Sequence, residues 1–86
     1  MADAALKQEL KVLVIEECDK EDLTPEDISD DQPLVGGDLE LDSLDVLQIC
    51  MAVKTRYGVR IEGSTDARRC LASINALAET IEERRN

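Results

Sequence analysis

The chain has almost no aromatic side chain with which to fill a core: its 86 residues include no Trp, no Phe and the single Tyr57. Its interior must therefore be held by aliphatic contacts. Sheets draw on aromatic and β-branched residues, whereas small helical bundles pack well on Leu, Ile, Val and Ala. Apolar residues make up 43% of the sequence, enough for one core. A chain of this length buries roughly 60–65% of the surface it exposes when unfolded, so a single domain over residues 1–86 is expected.

Apolar spacing supports a helical reading. Over residues 4–18, Leu6, Leu10, Leu13 and Val14 recur on one helical face, with Lys7, Glu9, Lys11, Glu16 and Glu17 between them. Asp3 suits the N-cap. Thr24-Pro25-Glu26-Asp27 predicts a short helical turn, with Thr24 as cap and Pro25 at the first helical position. Pro33 and the pair Gly36-Gly37 interrupt regular structure. The connection over residues 19–42 is long for a compact domain unless it packs its own side chains. Ile28, Leu34, Val35, Leu39 and Leu41 are the residues that could pin it to a core.

A second helix is predicted from Ser43 to Tyr57, capped by Asp42 and ended by a left-handed Gly58. Val59 to Gly63 reads as a short extended or loop piece. A short third helix, capped by Ser64 or Thr65, runs through Leu71. Ser73 caps the last helix, whose stripe is Ile74, Leu77, Ala78 and Ile81, and the tail from Glu82 to Asn86 is expected to fray. The fold class is thus all-α, with three main helices, one short helix and a long first loop.

The net charge of −10 is unevenly spread. Residues 1–45 hold 15 acids and 3 bases, whereas residues 46–86 hold 5 acids and 7 bases, including every Arg. Such acidity argues against binding nucleic acid or anionic membrane surfaces and favours basic protein surfaces as partners. No stretch has the apolar length of a membrane span, and no signal peptide is expected from residues 1–15. Cys18, Cys50 and Cys70 lie among apolar neighbours and read as free, buried thiols of a reducing cytoplasm. There is no His, which removes the commonest general base, and no CxxC spacing, so neither a catalytic centre nor a zinc site is expected.

The informative stretch is Leu39-Glu40-Leu41-Asp42-Ser43-Leu44-Asp45. It places a hydroxyl in the first turn of a helix, where unpaired N–H groups and a partial positive charge favour an attached anion. Ser43 could equally be a plain helix cap. The helix that follows is apolar on two faces. Val46, Ile49, Cys50, Val53 and Tyr57 suit a core, while Leu44, Leu47 and Met51 form a second stripe that a small bundle cannot readily bury as well. An exposed apolar stripe beside a reactive group marks a partner surface.

Asp42-Ser43-Leu44-Asp45, followed by Leu47, Ile49, Met51 and Ala52, resembles the acyl carrier protein family. The likeness continues through Tyr57-Gly58-Val59-Arg60-Ile61 and covers nearly the whole chain. It implies a stand-alone, type II four-helix acyl-carrier-type bundle. It also implies a 4′-phosphopantetheine arm on Ser43, transferred from coenzyme A by a phosphopantetheinyl transferase that itself needs Mg²⁺. The arm would carry acyl groups as thioesters to an acyl transferase, a ketosynthase and other enzymes of fatty-acid, polyketide or polyene synthesis. Partner contact is expected at Leu44, Asp45, Leu47, Gln48 and Met51, with Asp38, Glu40 and Asp42 adding charge. Val35, Leu39, Ile49, Val53, Ile61 and Ile74 would line an acyl cavity, although each could be ordinary core. The chain is expected to be a monomer with no metal site and no catalytic residue of its own. It departs from the family where the recognition helix is usually acidic, with Gln48, Lys54, Thr55 and Arg56 there, and Arg68 and Arg69 on the third helix. This favours a specialised pathway with matching partners.

Three other readings compete. A peptidyl carrier would share the arm, and Gly36-Gly37-Asp38-Leu39 resembles the glycine pair of such carriers, though too far upstream. A calcium loop over Asp27, Ser29, Asp31 and Asp38 lacks the Gly its sixth position needs, having Gln32 there. A plain helical interaction module would leave Ser43 as a cap.

Overall fold

Asp3 opens the first helix, α1 (Ala4–Glu17), its carboxylate accepting the Ala5 N–H at 3.1 Å, as the sequence predicts. The computed structural model describes residues 3–34 and 41–84. Among them, α1 is followed by a single helical turn (Pro25–Asp27), then α2 (Ser43–Tyr57), α3 (Gly63–Cys70) and α4 (Ile74–Arg84). Helix α1 packs on both α2 and α4, and α3 packs on α4. The result is a small all-α bundle around one aliphatic core.

That core draws on all four α-helices. Leu10, Leu13 and Val14 of α1, Ile49 and Val53 of α2, and Ile74, Leu77, Ala78 and Ile81 of α4 have no exposed surface at all. Val59, Ala67 and Leu71 close the cluster from the α2–α3 connection and α3. No polar or charged residue is buried among the described residues, so cohesion rests on apolar burial, about 25 cal/mol per Å². Tyr57 packs at the edge of this core and donates its hydroxyl to Glu9 at 3.0 Å.

The first connection is anchored in two ways. Ile28, Leu34 and Leu41 plug into the core, as their apolar character predicts. Val35 and Leu39 lie outside the described residues. Polar ties that the sequence did not reveal do the rest. Asp30 sits between Lys11 Nζ at 2.8 Å and Lys7 Nζ at 3.8 Å, binding the connection to α1. Asn75 at the start of α4 donates its N–H to the Asp30 carbonyl and its side-chain amide to Asp31 at 2.6 Å. The Lys11 hydrogen bond holds the Asp30 carboxyl below its ordinary value, with both lysine charges adding to it. The turn at Pro25 forms where predicted, Asp27 accepting the Thr24 N–H and hydroxyl at 2.9 and 3.2 Å.

Two expectations need correction. Helix α3 begins at Gly63, ahead of the predicted caps Ser64 and Thr65, with Glu62 in the cap position. Gly63 has φ +80°, a left-handed backbone that glycine adopts readily, at the point where the chain enters the helix ahead of those residues. The Glu62 N–H is taken by Asp66 rather than by a serine or threonine. The predicted fraying from Glu82 onward is also wrong as far as Arg84. Helix α4 continues to that residue, because Glu82 accepts the Asp3 N–H at 3.0 Å and Arg84 makes a two-pronged contact with Asp66, both at 2.9 Å.

Candidate functional site

The site is built on the N-terminal end of α2. Asp42 has extended backbone geometry and its carboxylate accepts the Asp45 N–H at 3.0 Å, while the Asp45 carboxylate accepts the Asp42 N–H at 3.1 Å. This reciprocal pair is a capping box. The first helical backbone bond, Val46 N–H to the Asp42 carbonyl, is 3.0 Å. Ser43 stands at the first helical position, exposed, and its hydroxyl makes no hydrogen bond among the described residues. Capping is therefore already done by Asp42, and among the described residues Ser43 takes no part in it. The Ser43 and Leu44 N–H groups likewise find no acceptor among the described residues, as expected at a helix start.

These features fit a phosphodiester on the Ser43 oxygen. The oxygen is exposed, no hydrogen bond to another described residue must break to free it, and the N–H groups of Ser43 and Leu44, which find no acceptor among the described residues, lie in the same turn. The fit is not one-sided, because the Asp42 and Asp45 carboxylates flank the position and offset part of the helix-end field.

Those of the remaining predicted contact residues that are described lie along α2. Leu44, Leu47 and Met51 are 62%, 54% and 57% exposed, so the second stripe of α2 faces solvent as its spacing implies. Gln48 is exposed beside them and Asp45 half-buried. Asp38 and Glu40 lie outside the described residues. Met51 forms a ridge between two shallow grooves. One, of about 220 Å³, runs toward α1 past Glu17, Gln48, Thr55 and Arg56. The other, of about 210 Å³, runs toward the α2–α3 connection past Leu47, Cys50, Lys54, Arg60, Ile61 and Glu62.

Of the residues expected around an acyl cavity, Ile49, Val53 and Ile74 come together as fully buried core, and Ile61 is partly buried against them at the rim of the second groove. Val35 and Leu39 lie outside the described residues. The cysteines are unpaired; Cys18 and Cys70 are buried and Cys50 is half-buried, more open than its neighbours predicted. Burial pushes the Cys18 thiol up to about 11, with the nearby Asp45 charge adding to it. Burial also raises the Cys50 thiol. Neither is an activated nucleophile.

Sequence reasoning missed Asp66 and Arg84, which are 18 residues apart and share no periodicity. Together they tie α3 to the end of α4. Arg84 also donates to the Arg60 carbonyl at 3.0 Å, fixing the connection that forms the wall of the second groove. The guanidinium holds the Asp66 carboxyl well below the usual carboxylate range. Asp27 and Asp31, proposed above as calcium ligands, are instead acceptors for Thr24 and Asn75. The described residues contain no cluster of three or more His, Cys, Asp or Glu side chains able to hold a metal ion.

The family model for the phosphopantetheine attachment site matches residues 8–81. The chain belongs to this family. Such domains are where 4′-phosphopantetheine is covalently attached, so the chain is a carrier of that arm. The match runs from within α1 to within α4 of the carrier, and the bundle is the fold the resemblance implies. No curated protein matches the carrier. No helix among its described residues is long and apolar enough to cross a membrane.

Proposed function

We propose that residues 1–86 form one carrier domain whose arm is esterified to Ser43 and which delivers acyl thioesters to the separate enzymes of a type II synthase. The observation that carries this reading is the division of labour at the start of α2. Asp42 and Asp45 cap one another's N–H groups, while the Ser43 hydroxyl beside them is exposed and makes no hydrogen bond among the described residues. In transfer, the Ser43 oxygen forms a bond to the phosphorus nearest the pantetheine of coenzyme A. The pyrophosphate bond breaks, and the adenosine bisphosphate leaves. The chain has no His, and the Asp42 and Asp45 carboxylates are engaged as cap groups; this supports a base supplied by the transferase for the hydroxyl proton. When bound, the arm supplies a thiol that holds cargo as a thioester.

The chain's own residues position and present. The first turn of α2 holds the attachment oxygen outward, and the exposed Leu44, Leu47 and Met51 offer a surface on which an enzyme can seat. Tethering then raises the local concentration of the cargo at the enzyme it visits, into the millimolar range for a short flexible tether. The chain makes and breaks no bonds in the cargo itself. We favour acyl over peptidyl cargo because the glycine pair lies well upstream of Ser43. The basic residues at Lys54 and Arg56, where the family is usually acidic, favour a specialised pathway in the cytoplasm over housekeeping fatty-acid synthesis.

The test is incubation with coenzyme A, Mg²⁺ and a broad-specificity phosphopantetheinyl transferase, followed by intact-mass measurement. Wild type gains one arm and Ser43→Ala gains none. A folded wild type that stays unmodified, or a gain that persists in Ser43→Ala, refutes the assignment. Transfer of malonyl groups onto the loaded carrier by a housekeeping malonyl transferase should be slow; turnover equal to that on the host's main carrier removes the case for a separate partner set.

A further inference from the structure

In a strongly acidic protein, one stretch is basic. Between Val46 and Cys70 there are five bases, Lys54, Arg56, Arg60, Arg68 and Arg69, against the two acids Glu62 and Asp66. The rest of the chain holds 18 acids and 5 bases. The structure removes one of the two acids from the count, since Asp66 is neutralised by Arg84. Arg56 is shared with Glu16 at 3.4 Å, and Arg60 reaches Glu62 at 3.6 Å, both pairs well exposed and so weak. Lys54, Arg68 and Arg69 form no ion pair with any described residue. Lys54 and Arg60 both line the groove of about 210 Å³ beside the exposed Leu47 and Met51.

We propose that this groove, with Leu47 and Met51 as its apolar contacts and Lys54 and Arg60 as its cations, docks a protein partner that presents an acidic, leucine-bearing helix. This rests on the carrier reading for the identity of the partner as a biosynthetic enzyme, but not for the binding itself. The charge order along α2 runs from Asp42 and Asp45 at one end to Lys54 and Arg56 at the other. Part of that order suits the helix dipole, but Arg60 lies beyond the helix and owes nothing to it. A partner with a uniformly basic face would meet Lys54, which forms no ion pair with a described residue, and Arg60, held only by an exposed contact of 3.6 Å to Glu62 on the same groove wall, and like charges brought together on desolvation are costly. A partner carrying carboxylates there pairs them and is steered in by them. The surface thereby fixes both orientation and choice of enzyme.

The probes are two synthetic amphipathic helical peptides with the same Leu face, one flanked by Glu and the other by Lys, titrated into the ¹⁵N-labelled full chain. The Glu peptide is expected to shift the amides of Leu47, Met51, Lys54 and Arg60, and to weaken about tenfold between about 50 and about 300 mM salt. Lys54→Glu/Arg60→Glu should weaken it at least about tenfold, with the fold checked by circular dichroism. Both side chains are exposed, and Lys54→Ala/Arg60→Ala serves as a milder second variant. The proposal is overturned if the Lys peptide binds this groove more tightly, if the charge-reversed chain binds the Glu peptide equally well, or if the groove residues broaden with concentration alone, which would make a second copy the occupant. Because the titration also works on Ser43→Ala, its failure is separate from failure of the arm-attachment assay.

Discussion

Removing the carboxylate of Asp42 separates the two roles that a helix-start serine can play. In the structure the Asp45 N–H is held by Asp42 Oδ1 at 3.0 Å, and α2 has no other side-chain N-cap. Asp42→Ala leaves that N–H to water, while the backbone N–H of residue 42 can still donate to the Asp45 carboxylate. Loss of an N-cap costs about 1 kcal/mol, within a range of about 0.5–2. In a domain of this size 1 kcal/mol lowers the melting temperature by about 4–8 °C. Ser43→Ala removes a hydroxyl that bonds to nothing described and installs the best helix former, so its stability should match wild type or exceed it by up to about 0.5 kcal/mol. Asp42→Ser restores a capping oxygen and should recover most of the loss. Urea titration followed by circular dichroism reads all three, provided the slope with denaturant is unchanged. If Ser43→Ala loses about 1 kcal/mol while Asp42→Ala is neutral, the serine is the cap, and the structural basis for assigning it to modification collapses.

Other expectations follow from the core, the ion pairs and the thiols. Leu10→Ala, at a side chain with no exposure, should cost about 2–5 kcal/mol and leave the domain close to unfolded at room temperature. Asp30 and Asp66 both have carboxyls lowered from 3.8 by hydrogen bonds to Lys11 and Arg84, so their contribution is present above that value and lost as pH falls through the lower folded values. An acid melt of Asp66→Asn should therefore show lower stability at neutral pH and a shallower acid limb; an identical limb would show the Arg84 contact to be inert. Cys18 is raised from 9.0 to about 11, which makes the folded state favour the protonated thiol; its contribution is complete below pH 9.0 and fades as pH climbs through about 11. Cys18→Ala should flatten that alkaline loss, and at neutral pH Cys50, the most exposed of the three thiols, should alkylate first. Gly58, at φ +69°, should not tolerate Ala without losing about 1–2 kcal/mol, measured by thermal melting.

Residue periodicity made much of this protein legible before any coordinates. The stripe of Leu6, Leu10, Leu13 and Val14, the stop at Gly58 and the stripe from Ile74 to Ile81 are local patterns, and local patterns follow from the 3.6-residue repeat and from which residues tolerate a left-handed turn. The exposed face of Leu44, Leu47 and Met51 was legible for the same reason, because two apolar stripes on one helix of a small bundle compete for one core. The motif around Ser43 marked the candidate site and made Asp42 the expected cap, but Ser43 also has the chemistry of a cap, and the sequence left open whether it shares the task. The structure assigns it to Asp42, because only the residue ahead of the first turn has the extended backbone that turns its carboxylate back onto the Asp45 N–H. What tertiary structure alone decided lies between distant parts of the chain: Asp66 with Arg84, Asp30 with Lys7 and Lys11, Asn75 with Asp31, and the groove between α2 and the connection after it. Such pairings carry no repeat in sequence, since they depend on where whole helices come to rest, and the burial of the aliphatic core sets that.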